Sequence, residues 1–141
     1  MKNQLVITFT LGFLICISSC SSPLPPDGKR TQDEFASFVG SFPYQASAQR
    51  SAEIAVSYSK VKNGMSKEEV QKVMGEPDYS QEAYHMGWIS TKYDGSTWTY
   101  CIYCTGKFAG VVGEDRYVGI YFGMDGRVKD IWSHVKGKDE R

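Results

Sequence analysis

Apolar and polar positions follow several different periods along this chain, and each period predicts a different kind of segment. Leu5 to Ile17 is a run of about thirteen mostly apolar residues behind Lys2, too short to span a bilayer and suited to the core of a secretion leader. From Ser21 to Arg30, Ser, Pro, Asp and Gly leave almost no apolar content and no period. Such a stretch cannot bury enough surface to fold, and it predicts a flexible tether running to residue 47 with a reach of roughly 30 Å. Phe35, Phe38, Phe42 and Tyr44 interrupt it. They either pack on the domain's own flank or order on a partner or the membrane interface.

Between Gln49 and Val61 the apolar stripe at 52, 55/56 and 58/59 predicts a short amphipathic helix, ended by Asn63-Gly64. A second helix starts at Ser66. Its hydroxyl can cap the next turn while Glu69 reaches back to the Ser66 amide, and Met65 can staple onto Val70. Val70, Val73 and Met74 share one face, Gly75 stops the helix and Pro77 prevents its resumption.

Beyond this point the period changes to two, which predicts an antiparallel sheet with strands at about 84–93, 97–104, 116–123 and 127–134. Asp94-Gly95 and Asp125-Gly126 lie between β-prone runs, as tight type I′ hairpins require. Trp98, Tyr100 and Ile102 share a face opposed to Thr97, Thr99 and Cys101; Val118, Ile120 and Phe122 oppose Tyr117, Gly119 and Tyr121. The Trp98 and Phe122 faces are assigned to the helices. The last strand has Val128 and Ile131 out of phase, which predicts an edge strand, a bulge or a shorter element. Between strands two and three, residues 105–115 carry Phe108, Val111 and Val112 among glycines, either a docking surface or a hairpin tip folded on itself.

The 16 basic and 16 acidic residues balance, so no global field recruits nucleic acid. The charged tail at 136–141 mixes both signs and reads as solvated. Ile17-Ser18-Ser19-Cys20 resembles the lipobox of bacterial lipoproteins. That resemblance implies a leader at 1–19 that is cleaved and an acylated Cys20 that holds the chain on a membrane; the bland alternative is an ordinary secretory signal cut near Ser19. Ser21 stands where an aspartate would favour inner-membrane retention, so the expected address is the outer membrane, with the domain in the periplasm. The remaining part, about 120 residues, supports one modest domain.

Gly64-Met65-Ser66 with Glu69-Val70, then Gly75 and Pro77, resembles the signature of the BamE/SmpA/OmlA family of small envelope lipoproteins. Trp98-Thr99-Tyr100 is similar to that family's W-x-Y strand, and Tyr121-Phe122 with Asp125-Gly126-Arg127-Val128 to its closing hairpin. The resemblance covers about residues 52–131. It implies an α+β fold in the order α-α-β-β-β, two N-terminal helices packed on one face of a three- to four-stranded antiparallel sheet, the architecture also seen in β-lactamase inhibitor repeats. The domain is expected at 48–135, with 20–47 as lipidated N-terminus and tether.

Cys101-Ile102-Tyr103-Cys104 is outside the family pattern. A redox C-x-x-C needs a thiol at a helix N-terminus, whereas this pair ends a β-rich run, where residues i and i+3 face opposite ways. A structural disulfide would need a bulge or turn at Tyr103; two free, partly buried thiols are the alternative. Adding His85 and His134 gives spacings that match no zinc finger, so no metal or other cofactor is expected. No nucleophile–base motif occurs, and Glu68-Glu69 are first-turn charges favoured by the helix dipole. The chain therefore reads as a non-enzymatic lipoprotein that binds an envelope protein partner, concretely an accessory of outer-membrane protein assembly or envelope integrity. The alternative is an inhibitor or sequestering module for an envelope hydrolase. Tyr93, Tyr117 and Tyr121 on the open sheet face, with the 105–115 loop, are the expected partner surface.

Overall fold

A computed structural model describes residues 28–86, 91–106 and 114–135. Cys20, the 1–19 leader, Phe108, Val111, Val112 and the 136–141 tail lie outside the described residues. The elements are α1 (Gln32–Val39), β1 (Tyr44–Gln45), α2 (Ala48–Ser57) running into a 3₁₀ turn (Tyr58–Lys60), α3 (Lys67–Met74), β2 (Tyr79–Met86), β3 (Thr91–Cys104), β4 (Arg116–Gly123) and β5 (Val128–Ser133). The class is α+β with the main strands after the helices, as expected, but among the described residues there are three helices and five strands, with β1 between the first two helices.

All strand pairs are antiparallel and centre on β3. One edge of β3 carries β2 along most of its length and β1 at its end, opposite Tyr103 and Cys104; the other edge carries β4, then β5. On one sheet face Trp98, Tyr100, Ile102, Val118, Ile120, Phe122 and Val128 meet Ile54, Val61, Val70 and Met74 from α2, its exit and α3. This is the face assigned to the helices from alternation. The Ser66 capping box forms as read: the Ser66 hydroxyl accepts from the Glu69 amide at 3.3 Å and the Ser66 amide donates to the Glu69 carboxylate at 2.7 Å. In α2 the stripe is out of phase with the expected one. Ile54, Tyr58 and Val61 reach the core, spaced four and three apart, and Val56 is 61% exposed.

The tether expected through residue 47 is corrected over 28–47, which is folded. Thr31 and Glu34 form a second capping box, with the Thr31 hydroxyl accepting from the Glu34 amide at 3.1 Å and the Thr31 amide donating to the Glu34 carboxylate at 2.6 Å. The helix that follows turns Phe35 onto the opposite sheet face, where it is buried with Tyr79, Cys101 and Cys104 and flanked by Val39, Phe42 and Tyr44. Phe35 stacks edge-on to Tyr44 at 5.2 Å and lies 5.5 Å from Tyr79. Burying that ring contributes about 2–3 kcal/mol, enough to hold a short helix that could not persist alone. Phe42 and Tyr44 also pack on the domain, the own-flank alternative, whereas Phe38 stays 69% exposed beneath the Arg30 guanidinium. The sheet is thus covered on one face by α2 and α3 and on part of the other by α1 and the segment after it.

Asp94-Gly95 is not a hairpin turn. Both residues lie inside β3, with Gly95 paired to Ala83 on one side and Gly123 on the other. Glycine is required there for another reason: its φ is 143°, and a Cβ would sit 2.0 Å from the Phe122 carbonyl oxygen. At Asp125-Gly126 the hairpin exists, but only Gly126 has positive φ, at 69°. The Gly126 amide donates to the Gly123 carbonyl and the Gly123 amide to Arg127, a type I-like turn closed by a left-handed glycine in place of type I′. β5 is an edge strand, runs one residue shorter at each end than drawn, and carries the register shift expected from its poor alternation.

These two glycines should separate experimentally. Gly95→Ala is expected to lower stability by about 3 kcal/mol, from backbone collision and a disfavoured φ together. Gly126→Ala meets open space and should cost only about 1 kcal/mol. Urea denaturation of both variants checks the contrast; equal losses would mean that the close approach at Gly95 is not what demands glycine.

Candidate partner-binding face

The signature residues make scaffold contacts. The Gly64 amide donates to the Val128 carbonyl at 2.8 Å and Met65 accepts from the Val128 amide at 2.9 Å, so Gly64-Met65 closes part of the free edge of β5. Arg127 clamps the same turn from its guanidinium to the Gly64 carbonyl at 2.8 Å. Gly75 ends α3 with φ 76°, and its carbonyl accepts from the Tyr100 hydroxyl at 3.2 Å. Pro77, Val70, Trp98, Tyr100 and Phe122 are buried. These contacts set the sheet on its helices.

The face opposite this core divides in two. Toward β2 and β1 it is covered by α1 and the segment that follows, as Phe35 and its neighbours show. Toward β4 and β5, among the described residues, Tyr117, Tyr121 and Trp132 remain half-exposed. Alternation puts Tyr117, Gly119 and Tyr121 on this side, and the β4–β5 register sets Trp132 beside Gly119 and Asp130 beside Tyr121. The Trp132 indole lies across Gly119, where a Cβ would come within 2.3 Å of the indole nitrogen. Glycine here makes a flat seat for the ring. The His134 ring rests 5.1 Å from that of Tyr117, and the His134 amide donates to the Tyr117 carbonyl at 2.8 Å.

At the far end the Tyr121 hydroxyl donates to the Asp94 carboxylate at 2.7 Å and to its carbonyl at 3.0 Å. That hydrogen bond pushes the phenol up to about 12, with Tyr93 also nearby. Burial raises the Tyr117 phenol as well. Both rings therefore stay neutral and offer polar tips on apolar bodies, the usual chemistry of protein contact surfaces. The structure brings together two of the six residues singled out in the sequence, Tyr117 and Tyr121, with Tyr93 close to the second. Trp132 and His134 were missed, because the bulge opposite Tyr121 and Phe122 shifts the phase of β5 and hides the face they share.

A second cluster lies beneath the covered half. Asp78 accepts from the Cys101 amide at 2.7 Å, with the Arg50 guanidinium 4.0 Å away. Arg50 also donates to the Glu76 carbonyl at 2.8 Å and to the Met74 carbonyl at 3.4 Å, tying α2 to the turn after α3. Burial outweighs these partners and holds the Asp78 carboxyl above its ordinary range. Cys101 and Cys104 are free buried thiols in the same cluster. Among the described residues no group of three or more His, Cys, Asp or Glu side chains is placed to hold a metal ion.

Residues 56–131 match the family model for the outer membrane protein assembly factor BamE domain, more than half of the chain. The chain belongs to the BamE domain family. The BamE match begins late in α2 and ends within β5, so it takes in α3, the sheet side of the core and the edge-closing Gly64-Met65 turn, with Tyr117 and Tyr121 inside it and Trp132 just beyond. It leaves α1 and β1 outside, and with them the cover over the other half. No match is found among curated proteins or solved structures.

The Asp78 environment gives a pH signature. A carboxyl raised by folding binds its proton more tightly in the native state; its stabilising share is complete below the ordinary carboxylate range and is lost as pH rises through the folded value. Asp78→Asn removes that loss. Differential scanning calorimetry of parent and variant from acid to neutral pH is expected to show the variant gaining melting temperature relative to the parent as pH rises. A difference that is flat or moves the other way would mean the Arg50 and Cys101 contacts outweigh burial.

Proposed function

We propose that this protein is a non-enzymatic lipoprotein of outer-membrane protein assembly, anchored through acylated Cys20 on the periplasmic face of the outer membrane, that docks an assembly component on the Tyr117–Tyr121–Trp132 half of its sheet. Membership of the BamE domain family supports the assembly role. The observation that carries the docking face is its cover: helices pack on one side of the sheet and α1 on half of the other, and the half left uncovered among the described residues is aromatic. Half-buried tyrosine and tryptophan over a rigid strand pair offer contact area at little loss of side-chain freedom. Thr105 and Asp115 are joined by an amide-to-carboxylate hydrogen bond at 2.7 Å, and Phe108, Val111 and Val112, which lie between them in sequence, are proposed to extend the same surface.

A photo-crosslinking side chain at Tyr121, in the full-length chain in membranes, tests the reading. Barrel-assembly components are expected as the crosslinked product, and Trp132→Ala should reduce their recovery by about tenfold or more, with the melting temperature near that of the parent. Capture of a single soluble hydrolase would overturn the assembly role in favour of inhibition. Recovery unaffected by Trp132→Ala would overturn the face. Cys20→Ala should release the protein from the outer membrane, and retention there would dispose of the anchor.

A further inference from the structure

We infer that Cys101 and Cys104 are a dithiol–disulfide site that is set up by a bulge in β3 and closed to solvent by the strap of residues 32–46. In a regular strand these two side chains would point to opposite faces. Here Cys101 pairs with Tyr117 and Tyr103 with Arg116, so β3 carries one extra residue, Ile102, against β4. Ile102 keeps to the helix-covered core while Cys104 returns to the side of Cys101. This is the bulge that a bond between them demands, displaced by one residue from Tyr103. Both thiols are free and buried in one cluster.

The strap controls access. Tyr44 of β1 pairs directly with Cys104, the Ala46 amide donates to the Ile102 carbonyl at 2.9 Å, and Phe35 and Phe42 pack against the thiol cluster. Phe42 also lies on Gly106, just past the second cysteine, where a Cβ would meet its ring at 2.8 Å. Under this cover the hydrogen bond with Cys104, burial and the nearby Asp78 carboxylate all oppose formation of the Cys101 thiolate. The thiolate is the form that attacks a disulfide, so the closed pair exchanges slowly. Oxidation therefore belongs to the chain before the strap docks, or to excursions in which it lifts.

The step balances with a disulfide-bearing oxidant, either a thiol oxidase or oxidised glutathione. One cysteine thiolate attacks the oxidant's disulfide and expels a thiolate; the second cysteine attacks the mixed disulfide and expels the other. One Cys101–Cys104 bond forms, the oxidant's bond breaks, two electrons pass to the oxidant and the two thiol protons end on its released thiols. The new bond pins the bulge on which β1 and the strap rest. Strap docking and bond formation should therefore favour each other at equilibrium.

The test uses the reduced full-length chain in glutathione redox buffers, folded and in concentrated guanidinium. After acid quench and alkylation, oxidation is read on the tryptic peptide spanning residues 93–107, which holds both cysteines. The bonded peptide is unalkylated and about 2 Da lighter than the dithiol. Folding is expected to move the dithiol–disulfide equilibrium about tenfold or more toward the bond while slowing its formation by a comparable factor. Phe35→Ala, or Tyr44→Ala if the first variant does not fold, should restore much of the rate. A fold that shifts the equilibrium toward the dithiol would overturn the site, and folded protein that oxidises as fast as unfolded chain would overturn its closure by the strap.

Discussion

The architecture depends on one strand that must be buried from every side. β3 has 14 residues, a partner along each edge and a packed cluster on each face. Trp98, Tyr100 and Ile102 hold the helices; Thr99, Cys101 and Cys104 face the opposite way, toward Tyr79 and the strap. A strand can serve two cores only while its alternation stays in register with both. The two departures from regularity on β3 relieve this demand. Gly95 lets the Phe122 backbone come closer than any side chain would allow, and the extra residue at Ile102 resets the phase so that the end of the strand can meet β1.

Seen this way, what was legible in the sequence is what local chemistry decides alone. Ser66 and Glu69 cap a helix whatever surrounds them, so α3 and its buried Val70 and Met74 could be read directly. The same pattern, Thr31 with Glu34 ahead of Phe35, marks α1 just as well, but it sits behind a proline-rich stretch whose composition argued for disorder. Asp94-Gly95 was misread because Asp-Gly carries two meanings. It supplies positive φ for a turn, and it also removes a side chain where another backbone passes close by. Only the partner strand distinguishes these, and the partner is remote in sequence.

The candidate face shows the same division. Tyr117 and Tyr121 follow from alternation in β4, which is regular, whereas Trp132 belongs to β5, whose phase is broken by a bulge at the edge, and His134 lies just past its end. Gly119 was the available clue. A glycine between two face-sharing tyrosines in a central strand implies that something large from a neighbour lies over it, and the indole of Trp132 is that group. The cysteine pair was half legible: the need for a bulge followed from spacing, but the strap that buries both thiols came from a segment whose composition reads as tether.

The strap also bears on which part of a BamE domain is left to work with. The matched region, 56–131, supplies α3 and the sheet side of the helix-covered core, and its sheet alone would present a whole second face. Residues 32–46 remove the β2–β3 half of that face by laying Phe35, Phe42 and Tyr44 across it. The segment before α1 also runs along the outer edge of β2, where the Ser80 amide donates to the Arg30 carbonyl at 2.7 Å and Gln81 donates to the side chain of Gln32 at 2.5 Å. At these positions the edge is not open to a further strand. Gly64-Met65 blocks the start of β5 in the same manner. Among the described residues, what stays open on that face is the aromatic β4–β5 half, and the strap that covers the rest lies between the proposed lipid anchor and the family domain. The strap is a folded element and not a tether, and on the proposed reading it restricts the face that a partner can reach.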